Sequence, residues 1–205
     1  MVRNDEREAR SAEVPIVGGL PDVPGIVAAM RLSPGLATHL RGLADELLVR
    51  DMPGATLTRA ERELLATAVS AANDCFYCMD SHGAFAGELL HRSNAVDVDA
   101  VVDSMKLGES QGVGPKMVAL LSIARAVQLD PRSVTRADVT RALDAGASDQ
   151  DTQLAVLIAS AFCMYNRMVD GLRARTPATP DAYRARAAEI AEYGYSDPRV
   201  ASIPG

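Results

Sequence analysis

At 205 residues, with 48% hydrophobic and 23% charged side chains, the chain has the size and balance of one generous soluble domain or two small ones. The net charge of −6 argues against a general nucleic-acid binder, which needs a basic face. Aromatics are only 4%, Trp is absent, and Ala, Leu, Val, Arg and Met abound, which favours helices packed through small side chains over a β-sandwich.

Residues 1 to about 25 carry Pro15, Gly18, Gly19, Pro21, Pro24 and Gly25 without sustained periodicity, and read as an extended arm. A first helix is expected near Val27, broken around Ser33-Pro34-Gly35, with a second running to about Arg50 and closed by Asp51-Met-Pro-Gly54. Thr58-Arg-Ala-Glu61 has the form of a capping box and opens an Ala/Leu/Val-rich helix through Ala72. Asn73 and Asp74 are poor in a helix interior and good N-caps, so one helix is expected to end there and another to begin. That second helix continues to about His91, and a weaker stretch covers Val96 to Met105. Gly108 to Gly114 is loop, and Pro115 to Gln128 is a helix with Pro in its first turn. Thr135-Arg-Ala-Asp138 starts a short helix to Leu143. Ser148-Asp-Gln-Asp151 starts the most apolar one, reaching about Arg173. Pro177 and Pro180 precede a final amphipathic helix, Asp181 to Glu192, and a turn-rich tail.

No stretch shows a strong period-two strand pattern, so the expected class is all-α. The two capped apolar runs after Thr58 and Ser148 echo each other, with Gln153 standing where the first has Glu63, which suggests two related helical halves. The expected organisation is an arm over 1–25, a helical domain over 26–175, and a C-terminal helix and tail over 176–205. The charged start shows no secretory h-region, and the longest apolar run, Leu154 to Met164, is too short to span a bilayer. Three cysteines, one of them isolated at Cys163, do not resemble a secreted disulfide framework, so a cytoplasmic, reducing home is expected.

The segment Asp74-Cys-Phe-Tyr-Cys-Met-Asp-Ser-His82 carries the chemistry. In a helix Cys75, Cys78 and His82 share one stripe, with His82 a single turn from Cys78. Glu63 lies twelve residues before Cys75, roughly 18 Å along a continuous helix, so only a break at Asn73-Asp74 lets it serve the cysteines. A thiol in the first turn of a helix sees the positive end of the dipole, which lowers its pKa. His82 can take a proton from Cys78, and Glu63 can orient the relay. Two thiols, a base and a carboxylate suggest thiol redox chemistry on an electrophilic oxygen or sulfur.

Other readings stand beside this one. Free cysteines often pack as small hydrophobes. Cys, Cys, His and Glu are acceptable zinc ligands, although a structural site usually brings a second separated pair, and His39 and His91 stand alone. Cys163, Met164 and Met168 read as core. Asn166 and Arg167 suit either a helix-end hydrogen bond or a site lining. Tyr77 reads as a gate over the cysteines or as a surface aromatic, and Arg184 and Arg186 as a solvated face.

Glu63, then eleven residues, then Cys75-x-x-Cys78-x-x-x-His82 resembles the signature of the AhpD-like alkylhydroperoxidases, within the carboxymuconolactone decarboxylase superfamily. The string Arg59-Ala-Glu-Arg-Glu-Leu-Leu-Ala-Thr-Ala-Val-Ser-Ala-Ala-Asn-Asp-Cys-Phe-Tyr-Cys is similar to its core. The run Asp149 to Leu172 resembles a second stretch of the longer peroxidase-related members. The likeness covers roughly residues 20 to 175 and leaves out the tail past Pro177. It implies an all-α fold, assembly into trimers or hexamers, and reduction of hydrogen peroxide or organic hydroperoxides without haem, metal or other cofactor. By the resemblance, Cys78 attacks the peroxide, Cys75 resolves the sulfenic acid into a disulfide, and His82 and Glu63 carry protons. Some members have a second histidine between the cysteines, where this chain has Tyr77. Decarboxylase members generally lack the cysteine pair. Lipoyl-bearing proteins serve some members, so a thiol reductant protein of lipoyl or thioredoxin type is the implied partner. A protein disulfide oxidoreductase, and a non-catalytic redox-sensing or oligomeric module, are the alternative functions.

Overall fold

A computed structural model describes residues 8, 9, 11 and 14–201. Most of the expected arm before Val14, and the last four residues of the tail, lie outside these. Every regular element among the described residues is helical: α1 (Ile26–Leu32), α2 (Pro34–Leu48), α3 (Arg59–Ala72), α4 (Phe76–Arg92), α5 (Val98–Lys106), α6 (Pro115–Leu129), α7 (Arg136–Asp144), α8 (Asp149–Gly171), α9 (Arg184–Tyr193) and α10 (Pro198–Ala201). Short 3₁₀ turns at Pro131–Ser133 and Pro180–Tyr183 precede α7 and α9. No helix among them is long and apolar enough to cross a membrane.

Helix α3 is the centre of the bundle. It is buried on nearly every face, including Glu63, Thr67 and Ser70, and packs against α4, α6 and α8. A helix so enclosed needs small side chains where its neighbours approach, and Ala60, Ala66, Ala68 and Ala71 supply them. Its start is the capping box expected from the sequence: the Glu61 amide donates to the Thr58 hydroxyl, and the Thr58 amide donates to the Glu61 carboxylate at 2.8 Å. The same device starts α7 at Thr135 and α8 at Ser148. The buried guanidinium of Arg62 ties the preceding loop to α3 by donating to the Leu57 and Arg50 carbonyls.

The two capped apolar helices, α3 and α8, lie against each other. At their far ends Asn73 Nδ2 donates to Asn166 Oδ1 at 2.8 Å, and Asn166 Nδ2 donates to Ser70 Oγ at 3.1 Å. Asn166 therefore makes a buried bond between helices, while Arg167 is exposed and donates to the Cys163 carbonyl of its own helix. Cys163 is half-buried against the core.

Asp151 joins the two halves at the other end. Its carboxylate is fully buried and accepts from the Ser148, Thr56 and Leu57 amides and from the Thr56 hydroxyl, at 2.7–3.0 Å. Burial alone would raise its pKa, but these donors outweigh burial and hold it at about 2 against an ordinary 3.8. A carboxylate with a depressed folded pKa contributes stability that is present above the unfolded value and is lost as pH falls through the folded one. Asp151→Ala, which leaves three amides and a hydroxyl without their acceptor, should lower unfolding free energy by about 2–4 kcal/mol at pH 7. Urea melts should show that deficit shrinking as the pH falls from 4 toward 2.

Candidate active site

The turn between α3 and α4 makes the site possible. Asn73 ends α3, Asp74 adopts a left-handed conformation at φ 55°, and the chain reverses into α4 so that the two helices share their longest contact. The break falls where the sequence placed it, but the cap differs. Cys75 itself is the N-cap of α4, not Asn73 or Asp74, so Cys78 is its third residue. Asp74 spends its conformational freedom on the reversal, which Asp tolerates better than most residues.

The reversal brings Glu63 of α3 against His82 of α4. His82 Nδ1 lies 2.7 Å from Glu63 Oε2, and the carboxylate is fully buried. With Nδ1–H donating to a carboxylate, the neutral imidazole keeps its lone pair on Nε2, which is then the basic nitrogen. Phe162 and Phe85 stand edge-on to the ring at centroid distances of 4.6 and 5.2 Å and fix its plane. Among the described residues the hydrogen-bond partners of His82 are Glu63 and Tyr195; neither sulfur is one of them.

Both motif thiols are free and buried, Cys75 at 0% and Cys78 at 2% exposure. They are not equivalent. Cys75 is pushed well above the usual thiol range, first by its hydrogen bond to the Cys78 sulfur, then by burial and by negative charge on Cys78. Cys75 therefore holds its proton near neutral pH. Val27 and Ala28 of α1, Val23, Val169, Ala174 and Tyr183 pack around the pair. Tyr77 belongs to this cover and is not a surface aromatic. It is buried, its phenol is raised to about 12 by burial, and its ring meets that of Tyr183 edge-on at 5.6 Å. Gly25, at φ +55°, lies so close to the Tyr77 ring that a Cβ would come within 2.3 Å of it.

Sequence reasoning missed Tyr195. Its hydroxyl donates to Glu63 Oε1 at 2.6 Å and stands 3.3 Å from His82 Nδ1. Burial and the adjacent Glu63 charge raise its pKa well above 10, so it remains a donor. Asp45 of α2 holds it in place by accepting from the Tyr195 amide at 2.6 Å and the Ser196 amide at 3.0 Å. Gly194 turns the chain there at φ +76°, where a Cβ would meet Asp45 Oδ1 at 2.9 Å. Tyr195→Phe removes a hydrogen bond to a buried charge and should lower stability by about 1.5–3 kcal/mol, measurable by urea melts. Arg186 also departs from expectation. Arg184 is solvated and pairs with Asp181, but Arg186 is half-buried and its Nη1 is enclosed.

Residues 34–90 match the carboxymuconolactone decarboxylase family. No curated protein matches the chain. Among solved structures, the chain is similar to an alkylhydroperoxidase AhpD-core, peroxidase-related protein from Ralstonia eutropha JMP134. That likeness has 26% identity, 88% coverage of each chain and a TM-score of 0.66. A peroxidase-related protein from Silicibacter sp. TM1040, 20% identical over 85% of this chain and 93% of its own, shares the fold at a TM-score of 0.65. With the helix order and the reversal that joins α3 to α4, these likenesses give the chain an AhpD-like core fold whose residues 34–90 match the carboxymuconolactone decarboxylase family.

Proposed function

We propose that the chain is a thiol peroxidase that reduces hydrogen peroxide or organic hydroperoxides through Cys78 and Cys75. The observation that carries this reading is the unequal thiol pair beside a buried Glu63–His82–Tyr195 network. The Cys78 thiolate attacks the distal peroxide oxygen, the O–O bond breaks, and the alkoxide leaves as alcohol with a proton returned by the relay. Cys75, still a thiol, then attacks the Cys78 sulfenic acid, releasing water and forming the disulfide. Two electrons from an external dithiol, on a reductant protein of lipoyl or thioredoxin type, restore the pair.

His82 Nε2 is the acceptor and donor of the travelling proton. Glu63 stabilises the imidazolium, and Tyr195 holds the second carboxylate oxygen. Burial of both sulfurs favours a small peroxide as the oxidising substrate, and the same cover must open, or admit a slender lipoyl arm, when the reductant protein reaches the disulfide. In stopped-flow mixing with cumene hydroperoxide, one peroxide should disappear per Cys75–Cys78 pair. An unchanged thiol titre would exclude the reading.

We also propose that the chain self-associates. Leu36 and Leu43, two turns apart on α2, are both exposed, as is Leu32 just before them, and such a stripe is commonly covered in a closed assembly. Light scattering should report a multiple of 21.7 kDa at micromolar concentration; a clean monomer would refute this.

A further inference from the structure

Beside the thiol site is a second feature that the redox chemistry does not use. A cavity of about 470 Å³ opens between α1, α2 and the tail, bordered by Met30, Pro34, Ala37 and Pro198 on its apolar side and by Arg31 and Arg41 on its charged side. Helix α1 also supplies Val27 and Ala28 to the cover of the cysteines, and Ser196, on the cavity edge, follows Tyr195 in the chain. A third guanidinium, Arg186 of α9, lies near enough to Arg41 to repel it.

Arg41 and Arg186, both half-buried, lack what buried cations ordinarily have, and Arg31 beside them is exposed. Among the described residues none of them forms an ion pair with Asp or Glu, although Arg50, Arg92, Arg132, Arg141, Arg175, Arg184 and Arg199 all do. Arg186 Nη1 is enclosed and has no hydrogen-bond partner among the described residues. Arg41 is half-buried, and burial followed by repulsion from Arg186 lowers its pKa. Like charges held together away from solvent without a counter-ion are costly, and an arriving anion would relieve that cost. The planar fork of a guanidinium matches a carboxylate. The cavity volume is that of a small-molecule site, and its mixed lining suits a ligand with an apolar body and one anionic end.

We infer that this groove binds the carboxylate of an acidic organic hydroperoxide, with Arg41 as its partner in the lining, Arg31 at the mouth, Arg186 adding its charge from beyond the lining, and the peroxide end directed toward Cys78. The inference rests on the peroxidase reading for its redox step, but not for binding. Two measurements separate them. Calorimetric titration with octanoate and with octanol involves no redox chemistry. Octanoate should bind at least tenfold more tightly, the scale of one charge-assisted hydrogen bond, and Arg41→Gln and Arg186→Gln should each remove that preference. Stopped-flow thiol oxidation by a hydroperoxy fatty acid should exceed that by its methyl ester by a similar factor in the unaltered protein, and the ratio should fall toward one in either variant. Equal binding of octanoate and octanol, or a preference that survives both substitutions, overturns the inference, even in a protein that consumes cumene hydroperoxide. Arginine-dependent octanoate binding in a protein that consumes no peroxide upholds the carboxylate site and rejects the peroxidase reading instead. The acid-to-ester comparison on the unaltered protein needs no variant, so a substitution that fails to fold still leaves a decision.

Discussion

Cys78→Ser should abolish peroxide-driven thiol oxidation, whereas Cys75→Ser should still form one sulfenic acid per chain, trappable with dimedone at Cys78. The asymmetry has two sources. Cys75 is held protonated by its hydrogen bond to Cys78 and by burial, so it cannot be the resting thiolate near neutral pH. His82 follows Cys78 by one turn of α4 and Cys75 by two, and a positioned base contributes roughly 10²–10⁴-fold. The helix dipole does not reverse this preference. Cys75 at the N-cap and Cys78 three residues later both sit at the positive end of α4, where the effect is about 0.3–1 kcal/mol. Label on Cys75 in the Cys78→Ser protein, at a rate comparable to that of Cys78, would mean that the attacking and resolving thiols are exchanged.

Glu63→Gln should slow the oxidation step by about 10²-fold or more while leaving the secondary structure intact. A glutamine fits the space of the carboxylate but carries no charge to stabilise the imidazolium, and its amide oxygen accepts from only one of the two donors while its NH2 faces the other. The His82 Nδ1–H and the Tyr195 hydroxyl both point at that position. Stability should fall by about 1–3 kcal/mol, the cost of leaving a buried donor unsatisfied. Because Glu63 and Tyr195 share one bond, the double variant with Tyr195→Phe should lose less than the sum of the single losses. Kinetic additivity would show that Tyr195 acts elsewhere.

The parts of this molecule that could be read from sequence are those set by local physics. Capping boxes at Thr58, Thr135 and Ser148 announce their helices because the hydroxyl and the carboxyl stand three residues apart. The Asn73-Asp74 break was legible because neither residue suits a helix interior, and from the break followed the approach of Glu63 to the cysteine helix. Which residue would cap α4 was not legible, since Asn73, Asp74 and Cys75 all stand at the turn and only the backbone geometry decides among them. Tyr195 was beyond reach for a different reason. It lies 132 residues from Glu63, and the Gly194 turn and the Asp45 carboxylate that place it there form a tertiary arrangement with no sequence period. Arg186 reads as solvent-facing on an amphipathic helix, and only the packing of α9 on α4 encloses it. Tyr77 could be read either way until Gly25 and Tyr183 were seen to cover it.

The most direct test is intact-protein and peptide mass spectrometry after one equivalent of hydroperoxide under non-reducing conditions. The account predicts loss of two hydrogen masses, a disulfide between Cys75 and Cys78, and Cys163 recovered as free thiol. An unaltered mass, or oxidation confined to Cys163, would contradict it.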